Sequence, residues 1–225
     1  MHKPTAAIAV AIVLAGPAWA ETRNLSGFST VGASGRYDVE ITQAETYSVV
    51  VEGRDAGQVE TSVDGQRLRI RQRGAWFGLG RRELDAVVRV SLPRVDGLAA
   101  AAGVEMTASS IATGDIDLSA AQGAQLSVRD LRATNVSLSA AQGGLLDAAG
   151  ACESVDASAA MGGVIDADGL ECATADVSAA MGGVVEVHAR FAVDASAAMG
   201  GAIDVSGAPE TRTASASMGG DINIH

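Results

Sequence analysis

Two series of carboxylates, a run of alternating arginines and one cysteine pair are the residues whose types and spacing could do chemistry. Asp156, Asp176 and Asp194 recur at steps of 20 and 18 residues; Asp147, Asp166, Glu186 and Asp204 recur at steps of 19, 20 and 18. If each step is one turn of a repeating fold, these side chains stack at strand spacing, where like charges repel. A hard divalent cation such as Ca²⁺ could bridge their oxygens, which makes Asp147, Asp166, Glu186 and Asp204 candidate calcium ligands. The nonapeptide calcium repeat Gly-Gly-x-Gly-x-Asp is absent, however. The expectation is therefore a solvated acidic face, with no metal and no cofactor.

Arg67, Arg69, Arg71 and Arg73 alternate with Leu68, Ile70 and Gln72, and Arg81 and Arg82 follow shortly after. On a strand this alternation places the guanidiniums on one face. Trp76 and Phe77 lie between the two arginine groups. Together these residues form a candidate contact surface for an anionic polymer, a lipid headgroup or a protein partner. Cys152 and Cys172 each precede a repeated Ser by six residues. Equivalent places in adjacent turns put their Cα atoms about 5 Å apart, inside the disulfide range. Enzyme signatures are missing: beyond residue 20 only His188 and His225 remain, and no Ser-His-Asp order, metal-ligand spacing or phosphate loop is present. A non-enzyme is expected. The alternative is a carbohydrate-active solenoid whose paired carboxylates hydrolyse glycosides.

The elements that must position these residues follow from an internal repeat. Ser-Ala-Ala-Gln-Gly begins at Ser119 and Ser139, Ser-Ala-Ala-Met-Gly-Gly at Ser158, Ser178 and Ser196, and Ser-Ala-Ser-Met-Gly-Gly at Ser215. Before each Ser the residues read apolar, polar, apolar (Ile116-Asp117-Leu118, Val155-Asp156-Ala157), and the pattern returns after the glycines (Leu146-Asp147-Ala148, Ile165-Asp166-Ala167). Period two means strand. Each unit should hold two short strands around a corner where the Gly pair supplies positive φ. A unit of 18–20 residues cannot bury its apolar side alone and must stack on its neighbours. The expected fold is an all-β, single-stranded β-solenoid or β-helix with coils of about 19–20 residues.

The 225 residues carry a net charge of −11, with 27 Gly and 3% aromatics. An acidic balance argues against nucleic-acid binding. Narrow coils filled by Ala, Val, Ile and Leu account for the scarce aromatics. Residues 21–100 hold 11 Arg against 11 Asp and Glu, whereas residues 101–225 hold 4 Arg against 16 acids. The methionines Met161, Met181, Met199 and Met218 stand at the corners, where flexible packing against the corner backbone is expected.

Residues 1–20 read as a signal peptide. His2 and Lys3 precede an apolar run too short to span a bilayer, and Ala18-Trp19-Ala20 is a cleavage site. Residues 21–98 read as an N-terminal β region, and residues 99–225 as the repeats. Strands are expected over Tyr37–Ile41, Tyr47–Val51, Val59–Val63, Leu68–Arg71 and Ala86–Leu92, with a hairpin at Asp64-Gly65. They should continue into the same stack.

Asn24-Leu25-Ser26-Gly27-Phe28, Tyr37 to Gln43, Tyr47 to Gly53 and Asp64 to Ile70 occur in an order that resembles the exported head GIN domain family of putative auto-transporter adhesins. The resemblance runs over about residues 23–224. It implies a strand-rich opening followed by solenoid coils, and it brings no catalytic residues. Ser-Ala-Ala-Met-Gly-Gly stands where the family more often has a Ser-Gly-Ser-Gly turn. A self-contained auto-transporter would need a membrane barrel. This sequence closes on Ile222-Asn223-Ile224-His225 inside a repeat, so a display module without its own translocator is expected. The reading is an exported, non-catalytic module of the periplasm or cell surface without a transmembrane segment. Its partner would be an envelope polysaccharide or protein. Alternatively it is a structural element that forms homo-oligomers through an open solenoid edge.

Overall fold

The computed structural model describes residues 20–74 and 82–225. The strands are β1 (Ala20–Arg23), β2 (Thr30–Ser34), β3 (Asp38–Gln43), β4 (Ser48–Glu52), β5 (Val59–Asp64), β6 (Arg67–Gln72), β7 (Val87–Leu92), β8 (Gly97–Ala101) and β9 (Glu105–Ser109). The repeats supply β10 (Asp115–Ala121), β11 (Gln125–Ala141), β12 (Leu145–Ala160), β13 (Val164–Ala180), β14 (Val184–Ala198), β15 (Ala202–Ser206), β16 (Thr211–Ser217) and β17 (Asp221–Ile224). The helical content of the described residues is one short 3₁₀ turn, Ala56–Gln58.

Successive repeats pair in parallel, with the register the sequence period demands. Ser119 lies beside Ser139, then Ser158, Ser178, Ser196 and Ser215. The all-β solenoid expected from the repeat is thus the observed fold. Its interior is built of rows: Leu118, Leu138, Ala157, Val177 and Ala195 are buried, as are Leu126, Leu146, Ile165, Val185 and Ile203. No polar or charged residue is buried among the described residues.

The coil has three sides rather than two. One sheet runs β5–β6–β2–β8–β10 and on through the second halves of β11 to β14 to β16. A second runs β1–β4–β7–β3–β9, the first halves of β11 to β14, then β15 and β17. A short third side stacks Arg132 on Ala151 and Glu171. Register shifts at Val128/Leu131, Asp147/Gly150 and Ala167/Glu171 mark the bend into it. This side absorbs the unequal repeat lengths: Ala167 pairs with Val187, 20 residues on, but Thr174 pairs with Ala192, only 18 on.

The Gly-Gly corner also differs from the simple expectation. In Ala160-Met161-Gly162-Gly163 the amide of Gly163 donates to the Ala160 carbonyl oxygen at 3.0 Å. The two central residues are Met161 (φ 51°) and Gly162 (φ 74°), as in a type I′ turn. Methionine, not the second glycine, therefore takes the other left-handed position. The second glycine is needed for space. A Cβ on Gly163 would lie under 3.0 Å from the carbonyl of Ala140 in the coil beneath.

The N-terminal strands join the stack out of chain order. β2 and β3 lie between β6 and β7 on one side and β8 and β9 on the other. β1–β4, β4–β7 and β5–β6 are antiparallel. This region also holds the buried aromatics Phe28 and Tyr37. The Tyr37 hydroxyl donates to the Ile70 carbonyl at 2.8 Å and ties β6 to the start of β3.

In this region Asp38 stands directly beside Glu105 in the parallel ladder. Burial, then the charges of Glu105, Glu83 and Glu40, raise its carboxyl above the ordinary value of 3.8. A raised folded value means that the native state binds the proton more tightly than the unfolded chain. The contribution of this group to stability is therefore fully present below the ordinary value and is lost as pH rises through the raised value. Asp38→Asn should raise stability at pH 7, by less than about 1 kcal/mol for a largely exposed group. Thermal melts at pH 3, below the ordinary value of 3.8, and at pH 7 should show a larger advantage of the variant at the higher pH.

Candidate functional site

β6 alternates because its apolar residues face the interior: Leu68 and Ile70 are fully buried, and the arginines between them point outward. A two-residue turn, Gly65-Gln66, with φ 60° at Gly65, joins it to β5 in the expected hairpin. Across the sheet, Arg67, Arg69 and Arg71 lie beside Thr30, Gly32 and Ser34 of β2. These in turn lie beside Gly97, Ala99 and Ala101 of β8. The guanidiniums thus border a floor of small residues, forming a shallow groove of about 300 Å³. Gly32 leaves room for Arg67 to reach across β2, since a Cβ there would meet Arg67 Nε at 3.1 Å.

The arginines are not equivalent. Arg69 pairs with Asp64 at 2.8 Å, Arg73 with Glu60 at 2.8 Å and Arg82 with Asp55 at 2.6 Å. Neither Arg67 nor Arg71 forms an ion pair with any described residue. The stripe of the sequence reduces to two uncommitted cations 4 residues apart, with Arg73 and Arg82 tied elsewhere. Trp76, Phe77 and Arg81, and residues 1–19 of the expected signal peptide 1–20, lie outside the described residues. Arg71 also lines a second cleft of about 750 Å³ with Arg73, Glu21 and Glu60.

The carboxylate series do stack. Asp147, Asp166, Glu186 and Asp204 occupy one row, and Asp156, Asp176 and Asp194 another. Stacking does not make a cage. Asp147 accepts from Arg129 at 2.6 Å, and Asp204 accepts from Asn223 at 3.1 Å. No group of three or more His, Cys, Asp or Glu converges as metal ligands among the described residues. Cys152 and Cys172 stand in register on the short third side, with Cα atoms 4.6 Å apart, and are disulfide-bonded.

The row beyond the acids carries a grouping that the sequence did not disclose. His188 Nδ1 lies 3.0 Å from the Ser206 hydroxyl, which donates to Asp168. Its signal was present as a further row at steps of 20 and 18 residues, but the residue types differ from coil to coil. The hydroxyl occupies the middle of this chain. In a Ser-His-Asp relay the imidazole takes the middle and the carboxylate orients it, so this order does not activate the serine.

No helix among the described residues is long and apolar enough to cross a membrane. The sequence model of the family described as "putative auto-transporter adhesin, head GIN domain" matches residues 27–209. No curated protein matches the chain. Among solved structures, a putative adhesin of Bacteroides fragilis is similar at TM-score 0.83 and 15% identity, over 92% of this chain and 96% of that one. A putative lipid binding protein of Parabacteroides distasonis is similar at TM-score 0.68 and 19% identity, over 93% and 98%. A putative adhesin of the same species is similar at TM-score 0.67 and 16% identity, over 92% and 96%. At these identities the likeness is one of fold. The match over residues 27–209, the shared solenoid and the ordered N-terminal strands together place this chain in the head GIN domain family of putative auto-transporter adhesins.

Proposed function

We propose that this chain is an exported, non-catalytic binding module of the cell envelope that presents the Arg67–Arg71 groove to an anionic polysaccharide or protein. The observation that carries the reading is the contrast along β6 and beyond it. Arg69, Arg73 and Arg82 are held by carboxylates, whereas Arg67 and Arg71 form no ion pair with a described residue and stand over a floor of Gly, Ala and Ser. A floor without bulky side chains admits an extended polymer. Guanidiniums take carboxylates and sulfates in a bidentate fork. The leader-like residues 1–20 and the disulfide, a bond that persists in oxidising compartments, support export.

Because the whole chain carries a charge of −11, a polyanion is repelled everywhere except at such a local patch. Polygalacturonate should therefore be retained by the immobilised chain at low salt, and neutral dextran should not. Retention should fall steeply between 10 and 150 mM salt as the Debye length shrinks from about 30 to 8 Å. The polymer should emerge with its chain length unchanged. Shortened polymer would show an enzyme instead.

A further inference from the structure

The four methionine corners are not explained by turn chemistry or by the core. Type I′ turns favour Asn, Asp or Gly at the first central position, yet Met161, Met181, Met199 and Met218 adopt φ of 51°, 50°, 50° and 46° there. Their side chains are not filling the interior either. Met161, Met181 and Met199 are each 49% exposed, and Met218 is 76% exposed. The flexible packing expected from the sequence is thus a half-exposed ridge of thioethers along one edge of the solenoid. The register brings them together. Ala160, Ala180, Ala198 and Ser217, the residues just before them, pair coil to coil.

We propose that this ridge is a binding site for a soft monovalent cation, Cu(I) or Ag(I), held in line between the thioethers of adjacent coils. Thioether sulfur is the soft donor that selects such ions. The spacing suits two-coordinate binding. The corners of adjacent coils repeat at the coil-to-coil spacing of about 4.8 Å, so one ion is within reach of the flexible thioethers of two coils. The thioethers are neutral, so the positive charge must be balanced from elsewhere. The acidic row supplies it: Asp166 and Glu186 lie five residues beyond Met161 and Met181 on the adjoining side. Its negative potential also raises the local cation concentration. No bond other than sulfur–metal forms, and no proton leaves. Binding should therefore be unchanged between pH 5 and 7.5.

The substitution that preserves the corner is already present in the molecule. Gln122 and Gln142 occupy the same turn position at φ 56° and 52°. Silver nitrate titrated in chloride-free buffer and followed by native mass spectrometry gives the count. Two ions should bind, one for each non-overlapping pair of thioethers. Met161→Gln/Met181→Gln leaves Met199 and Met218 adjacent and should retain one ion. Met181→Gln/Met199→Gln leaves two isolated thioethers and should retain none. Equal occupancy in the two double variants, or no loss from either, would overturn the proposal. So would occupancy that falls on acidification from pH 7.5 to 5.

Discussion

Replacing Gly183 with Ala should destabilise the protein by about 3 kcal/mol or more, whereas Gly182→Ala, one residue earlier, should cost only about 1 kcal/mol. The two glycines meet different constraints. Gly182 has φ 74° and open space where a Cβ would stand, with no atom within 4 Å, so its variant meets only the left-handed penalty of an L-residue. Gly183 needs no special φ, but a Cβ there would come under 3.0 Å from the carbonyl oxygen and carbon of Ala159 and the amide nitrogen of Ala160. Those atoms are backbone and cannot swing aside, so the stacked coils must part. For a chain of this size the difference between variants, about 2 kcal/mol, is on the order of 4–8 °C in Tm. Thermal melts of the two variants decide it, and equal shifts would mean that the second glycine is not set by the close approach of coils.

Removing the cross-coil bond should give the next largest loss. Cys152 and Cys172 are 20 residues apart in sequence, and closing a loop of that size restricts the unfolded chain by about 3 kcal/mol. Cys152→Ala/Cys172→Ala should lower stability by about 2–3 kcal/mol, on the order of 4–12 °C in Tm. The strand signal should be unchanged, because the bond joins residues that already pair in register. Reduced wild-type protein should melt near the double variant. Identical melts of oxidised and reduced protein would contradict the assignment of this stabilisation to the bond.

Much of the fold was legible because a solenoid writes its period into the chain. The Ser-Ala-Ala units fix parallel register, and alternation such as Ile165-Asp166-Ala167 fixes which side faces inward. The cysteine pair followed from the same count. The third side was hidden because its pattern does not persist from coil to coil: Leu131-Arg132-Ala133 and Leu170-Glu171-Cys172 alternate, but Gly150-Ala151-Cys152 between them carries no polar residue. The out-of-order insertion of β2 and β3 was hidden for another reason. Long-range pairing of Val31 with both Leu68 and Leu98 leaves no local trace. At the candidate site, alternation showed which arginines face outward. It could not show that Arg69, Arg73 and Arg82 are neutralised by Asp64, Glu60 and Asp55, since alternation fixes the face of a strand but not which side chains pair on it, and Asp55 lies outside the hairpin.

The central claim is that two uncommitted guanidiniums, and not the general charge of the molecule, provide the binding surface. Equilibrium binding of polygalacturonate in 10 mM salt, compared between two double variants of equal charge change, tests it most directly. Arg67→Ser/Arg71→Ser removes the groove's cations. Arg94→Ser/Arg129→Ser removes two arginines already paired with Asp96 and Asp147. The groove variant should lose more than tenfold in affinity, more than about 1.4 kcal/mol, while the control stays within twofold of wild type. Equal affinity in the two double variants, or no binding by the wild-type chain, would contradict the account.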